Sequence, residues 1–389
     1  MKKFRNFIII GLVLLMIGLF FMSVEEKKSD NIEVKAVVLE TDNSEMIQSG
    51  IAKIGFQMLK VKIIEGKYQD KVMEASNNLI GKLDMDNYYK KGDKIIVALL
   101  EKENKIIAAK AIDLYRQNWQ LLLFGFFVLL LILYAGYIGA KALFSFIASL
   151  YIIWNLLIPG LLAGKDPLLL SSVTLLILSA LIIFAVAGFN KKGLVAFVGT
   201  ISGLAITVLI TIIFGNRLEL LGMTSPFAET LLFSGYLDLN MKHIFYSAIV
   251  IGASGAAMDI AMDIAASMEE LKSKKPEIEM KELIQSGFNV GKAVIGTMTT
   301  TLLLAYSGGY LTLLMLFMSK NTSLNRMMNL KMVSAEILRT LTGSIGLVLV
   351  APITAVFAGW IYSIDFKALF IKESKMIMIR QKLKELIKI

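Results

Sequence analysis

Long uninterrupted apolar runs constrain this chain more than any other feature. Several exceed the ~18 residues that read as a membrane-spanning helix, and 56% of the 389 residues are apolar. The mean hydropathy is +0.68. A soluble domain of this length needs more polar surface than that to face water. Eight spans are expected: Phe7–Met22, Leu121–Tyr137, Phe144–Leu162, Leu168–Phe189, Leu194–Phe214, Ile244–Ala266, Ala293–Met318 and Ile337–Ile364. The basic start Met1–Arg5 and the apolar run after it have the form of a signal peptide. No small-x-small cleavage site follows before Glu25, which favours an uncleaved anchor.

The expected fold is an all-α polytopic membrane bundle of about eight transmembrane helices with a small external β-domain. Its parts are a membrane anchor (1–23), an extracytoplasmic β-domain (24–118), a seven-helix transmembrane domain (119–366) and a basic amphipathic tail (367–389). Lysine and arginine in the loops set the orientation. With the N-terminus in the cytoplasm, internal segments hold 18 basic residues and the short external loops hold 6. An even number of spans also returns the basic C-terminus to the cytoplasm. The expected location is therefore the bacterial plasma membrane, with both termini inside.

The net charge of +10 is explained by lysines crowding beside the spans, so no nucleic-acid partner is expected. There is no cysteine and one histidine, His243. These exclude disulfides and thiolate sites and remove most zinc and histidine chemistry, so no cofactor or metal is expected.

Residues 24–118 lack long apolar runs. Short β-like stretches recur at 33–39, 55–64, 94–100 and 105–111, separated by turn signals at Glu65-Gly66 and Lys91-Gly92-Asp93. They suit a small OB- or SH3-like barrel. The 215–243 loop is too long for a simple turn and suits a surface helix or a re-entrant segment. Residues 278–288 place their apolar side chains on one face, as a helix lying along the cytoplasmic interface would. The basic tail suits either anionic lipid or water.

Candidate functional residues are polar groups inside apolar helices. The sixth span carries Gly252 and Gly255, small enough for close helix packing, then Asp259 and Asp263. Four residues apart, the carboxylates share one face about 6 Å apart along the axis. A charged aspartate near the bilayer centre costs roughly 2.5–3.5 kcal/mol, so both are expected to face protein or a wet cavity. The seventh span carries Thr297, Thr299, Thr300 and Thr301, whose hydroxyls either line a polar track or bond their own helix. Gly308 and Gly309 follow, permitting a break or close packing. In the eighth, Glu336, Arg339 and Thr340 share one face, Gly343 is a packing position and Pro352 a bend.

Enzyme readings fail. Gly252-Ala253-Ser254-Gly255 matches the serine motif of rhomboid proteases, but His243 lies on the same helix about 16 Å away. Both aspartates sit on one helix, unlike intramembrane aspartyl proteases. No phosphate-binding G-x-x-x-x-G-K-[ST] loop is present.

The stretches 252–271 (GASGAAMDIAMDIAASMEEL), 291–314 (GKAVIGTMTTTLLLAYSGGYLTLL) and 335–355 (AEILRTLTGSIGLVLVAPITA) resemble the YibE/F family of multi-spanning membrane proteins. The resemblance implies a shorter paralogous membrane subunit as partner, or a second copy. The order of elements is also similar to one half of an RND or SecD-type transporter. That likeness implies that Asp259 or Asp263 takes up a proton that drives the external domain. An ion-coupled secondary transporter or transport subunit of unknown substrate is therefore expected. The alternative is a non-transporting scaffold whose external domain recruits a partner.

Overall fold

The structure, a computed structural model, describes residues 31–102 and 105–364. The expected first span and the basic tail from 367 lie outside the described residues. Contacts divide the described chain at Gly136 into two compact units.

The first unit opens with strands β1 (Asn31–Asp42), β2 (Met46–Ser49), β3 (Ala52–Ile63), β4 (Val72–Ile80), β5 (Lys94–Lys102) and β6 (Lys105–Leu114). Val34, Ala36 and Val38 of β1, Leu59, Val61 and Ile63 of β3, and Ile95, Val97 and Leu99 of β5 are all buried. This period of two puts one face of β1, β3 and β5 inside. The sheet order is β1-β5-β6-β4-β3-β2, and β1 also pairs with β3, which closes the sheet. All pairings are antiparallel except β4 with β6, which is parallel. A closed five-stranded Greek-key ring of this connectivity is an OB-type barrel; β2 extends one end of it as a hairpin with β3.

Four of the strands fall on the expected β-like stretches. β4 does not, because Glu74, Ser76, Asn77 and Asn78 give it low strand propensity. Its polar side chains are accommodated individually. Gln57 is buried; its amide donates to the Tyr89 carbonyl at 2.9 Å and accepts from Asn77 at 3.1 Å. Asn77 also donates to the Asn87 carbonyl at 2.7 Å. This network pins the β4–β5 loop across one end of the barrel. Tyr89 stands at its centre, and burial pushes its phenol up to about 12.

Helix α1 (Gln117–Ile152) follows, continued by a π-helical turn (Ile153–Leu157) and α2 (Ile158–Leu162). The loop expected at 138–143 is instead helical. Its Ala, Leu and Lys are good helix formers, and the only break is Gly136, at φ 52° and ψ −120°. At 46 residues the combined segment has about twice the ~20 residues that one crossing of a ~30 Å hydrocarbon core needs.

The second unit holds α3 (Pro167–Ala187), α4 (Lys191–Arg217), α5 (Ala228–Phe233), α6 (Met241–Lys274), α7 (Met280–Gly309), α8 (Leu311–Ser319), α9 (Leu324–Met328) and α10 (Lys331–Ser363). Among the described residues, six helical segments are long and apolar enough to cross a membrane: the 46-residue one, α3, α4, α6, α7 and α10. The 215–243 loop contains only the six-residue α5. The separate interfacial helix expected at 278–288 is instead the first turns of α7. Its apolar side find partners in the bundle, where Leu283 is fully buried and Ile284 packs beside Gly359 of α10.

Helix α6 is the hub, packing on α3, α4, α7 and α10. The tightest approach is between α4 and α10. Gly199 lies against Thr354, Gly203 against Val350, and Gly346 against Thr207; a methyl group at any of the three glycines would overlap its neighbour. Without water to drive apolar surfaces together, such close backbone packing is the main attraction between membrane helices.

Candidate functional site

Helix α6 starts at the Asn240 cap, whose side chain accepts from the His243 amide. It buries Phe245, Ile249, Ala253, Ala257, Ile260, Ala261 and Ile264. What remains is a narrow outward stripe: Gly252, Gly255, Asp259, Asp263 and Ala266, all exposed. Successive spacings of three and four residues keep them on one face. Asp259 is thus near the middle of a 34-residue helix, and neither carboxylate has a hydrogen bond or ion pair among the described residues. The acidic groups near the helix end behave differently. Glu269 pairs with Lys192 at 3.5 Å and Glu270 with Lys274 at 2.7 Å.

Helix α7 runs antiparallel alongside. Gly287 lies beside Met268, Gly291 beside Ile264, and Gly252 beside the Tyr306 hydroxyl. Interpolating between these contacts sets Asp259 level with residues 296–298 and Asp263 level with Lys292 and Ala293. The threonine run is therefore at the height of the carboxylates, though no hydroxyl bonds to them. Each bonds its own helix: Thr297 donates to the Val294 carbonyl, Thr299 to that of Ile295, and Thr300 and Thr301 to that of Thr297. Thr297, Thr300 and Thr301 are exposed and Thr299 is half-buried.

A second polar cluster sits at the other end of α7. Arg339 pairs with Glu336 one turn away on α10 at 3.1 Å, and both side chains are largely enclosed. Arg339 also donates to the Tyr310 hydroxyl at 3.5 Å and lies over the rings of Phe245 and Tyr306. Glu336, Thr340, Tyr306, Ser307 and Tyr310 line an otherwise apolar open cavity of about 400 Å³ between α7, α8 and α10. Phe245 and Tyr310 were not legible as members of this cluster, because neither stands at helical spacing from it in sequence.

The five expected packing glycines divide. Gly252 meets Tyr306, and Gly343 meets Leu302 and Ala253. Gly255, Gly308 and Gly309 meet nothing within 4 Å among the described residues. Gly255 belongs to the outward stripe, and Gly309 ends α7. Among the described residues no group of three or more His, Cys, Asp or Glu side chains could hold a metal ion.

A family model described as YibE/F-like protein matches residues 123–364. The chain belongs to the YibE/F family. A model for the YibE/F family N-terminal domain matches residues 25–114, the segment that forms the barrel. No curated protein and no solved structure matches this YibE/F chain. The stripe on α6 and the threonine run on α7 both fall within the YibE/F-like match.

Proposed function

We propose that this protein is a proton-coupled secondary transporter or transport subunit of the bacterial plasma membrane. The observation that carries the reading is the α6 stripe: two carboxylates in a membrane-length helix, outward-facing and without a partner among the described residues. Lipid is a poor neighbour for them, at roughly 2.5–3.5 kcal/mol per aspartate near the bilayer centre. A second membrane subunit, either another copy or a shorter paralogue, covers the stripe and leaves a wet path along it. Asp259 and Asp263 hold the coupling proton there, since two close carboxylates resist being charged together. The threonines at the same height supply hydroxyls to that path. One charge crossing 100 mV carries ~2.3 kcal/mol, enough to bias a two-state bundle. The likeness to one half of an RND or SecD-type transporter supplies the precedent for such coupling. Both termini are cytoplasmic and the barrel is outside; the first span and a division of the 46-residue segment at Gly136 bring the spans to eight. Among the described residues no hydrogen bond joins a serine nucleophile to the histidine base, and on that ground we favour transport over enzymatic chemistry.

The test is proton flux into proteoliposomes holding the full-length protein, alone and with its paralogue, under an imposed potential. Asp259→Asn and Asp263→Asn should each cut flux at least about tenfold, while the amount of folded protein stays unchanged. Native-like flux in both variants would refute the coupling role. Loss of folded protein instead would make the carboxylates structural.

A further inference from the structure

We propose that one end of the barrel docks into the bilayer surface, seating apolar side chains at the boundary between headgroups and acyl chains. The two ends of this small domain differ in the apolar side chains they expose, while Lys82, Asp84, Lys90 and Lys91 of the β4–β5 loop are exposed beside them. At one end the β3–β4 turn presents Glu65, Lys67, Asp70 and Lys71. The other end is built by the β2–β3 hairpin and the β4–β5 loop. There Ile47, Ile54 and Ile80 stand abreast across three strands, paired Ile47 with Ile54 and Ile54 with Ile80. Cross-strand partners point the same way, so they form one ridge, and all three are exposed. Ile51 at the hairpin tip is 85% exposed and Leu83 in the loop is 63% exposed, with Met85 beside it. Apolar side chains clustered this densely on a domain of this size mark an interaction surface.

The strand register says what lies opposite. β4 and β6 run parallel, with Ser76 level with Lys110. The end of β4 at Ile80 is therefore level with the end of β6 at Leu114. Three residues later the chain becomes α1, the first apolar segment after the barrel. Trp119, in its first turn, is 77% exposed, and tryptophan at the start of a membrane helix marks the headgroup level. The β4–β5 loop is fastened to this exit. Asn87 donates to the Asp113 carboxylate at 3.0 Å, and Arg116 donates to the Asn87 side-chain oxygen at 3.0 Å. Asp113 also pairs with Arg116 itself. The apolar end thus leads with the helix into the membrane, and the charged end trails in water. A bilayer interface accepts apolar side chains about 5–10 Å deep. A soluble partner at this end would have to displace the membrane that the helix has already entered, so lipid is the occupant.

The chain has no cysteine, so single labels are unambiguous. Ile51→Cys, Leu83→Cys and, at the charged end, Gln69→Cys would each carry an environment-sensitive NBD fluorophore. The full-length protein is reconstituted in phosphatidylethanolamine–phosphatidylglycerol vesicles, with and without lipids spin-labelled near the headgroup. Ile51 and Leu83 lie in a turn and a loop with their side chains exposed, so the substitutions leave the barrel core untouched. Blue-shifted emission at 51 and 83, quenched by the spin-labelled lipid at least about twofold more than at 69, is the expected result. Water-like emission without extra quenching at 51 and 83 would overturn the proposal. A blue shift there without lipid quenching would overturn it equally, because a protein surface would then be the cover.

Discussion

Two pairs of charged residues sit inside membrane-length helices of this protein, and they are treated in opposite ways. Glu336 and Arg339 are neutralised inside the chain: they pair at 3.1 Å, largely enclosed, with Tyr310, Tyr306 and Phe245 around the guanidinium. Asp259 and Asp263 are left facing outward with no partner among the described residues. Both arrangements cost desolvation, but only the first repays it locally. A charge in a membrane-length helix that finds no partner among the described residues is a costly feature there. The contrast separates an enclosed pair beside the Tyr306, Tyr310 and Phe245 rings from an outward-facing pair on α6.

The largest expected effect on stability tests the enclosed pair. Arg339→Met leaves the Glu336 carboxylate enclosed without its cation, and breaking a buried pair in this way costs about 3–5 kcal/mol. Removing both charges, Glu336→Gln with Arg339→Met, should recover most of that loss, because no uncompensated charge remains. Asp259→Asn should shift stability by no more than about 0.5 kcal/mol, as an outward-facing site does. Unfolding of the detergent-solubilised protein measures all three. A loss for Asp259→Asn as large as that for Arg339→Met would erase the distinction.

Glycines extend the comparison at smaller scale. Gly203→Ala places a methyl group into Val350, where α4 and α10 touch, and overpacking of this kind costs about 1–3 kcal/mol. Gly255→Ala, on the same outward stripe as the aspartates, meets nothing among the described residues and should change monomer stability by less than about 0.5 kcal/mol. If a second subunit covers the stripe, the same substitution weakens that association, which size-exclusion chromatography of the assembly would record. An unaltered assembly would show that the cover does not approach closely at Gly255.

The parts legible in sequence are those set by neighbours along the chain. Apolar run length marked the long apolar helices, short β-like stretches between turn signals marked β1, β3, β5 and β6, and the i, i+3 spacing placed Glu336 beside Arg339. Other features depend on contacts distant in sequence. β4 carries Asn77 only because Gln57 on the neighbouring strand is there to bond it. The helix through residues 138–143 continues because Gly136 alone absorbs the break. Which face of α6 is open follows from where α3, α4, α7 and α10 stand around it. The packing glycines are an intermediate case. Gly199 with Gly203 and Gly287 with Gly291 are each four residues apart, a recognisable close-packing signature. Of the five glycines expected to pack, Gly252 and Gly343 meet neighbours, whereas Gly255, Gly308 and Gly309 meet none among the described residues.

The smallest stability effect is expected where the two treatments of polar groups meet, at the threonines of α7. Each hydroxyl donates to a carbonyl of its own helix, so replacing Thr297 or Thr301 by valine keeps the branched shape and removes only a secondary bond. The change in unfolding free energy should stay within about 0.5 kcal/mol, because such back-bonding adds little to a helix. Proton flux is the sensitive readout. Standing level with Asp259, these hydroxyls contribute to conduction only if water or a proton passes them, and Thr297→Val should then lower flux at unchanged stability. A stability loss above about 1 kcal/mol would instead place the threonines with Glu336 and Arg339, as groups that hold neighbouring elements together.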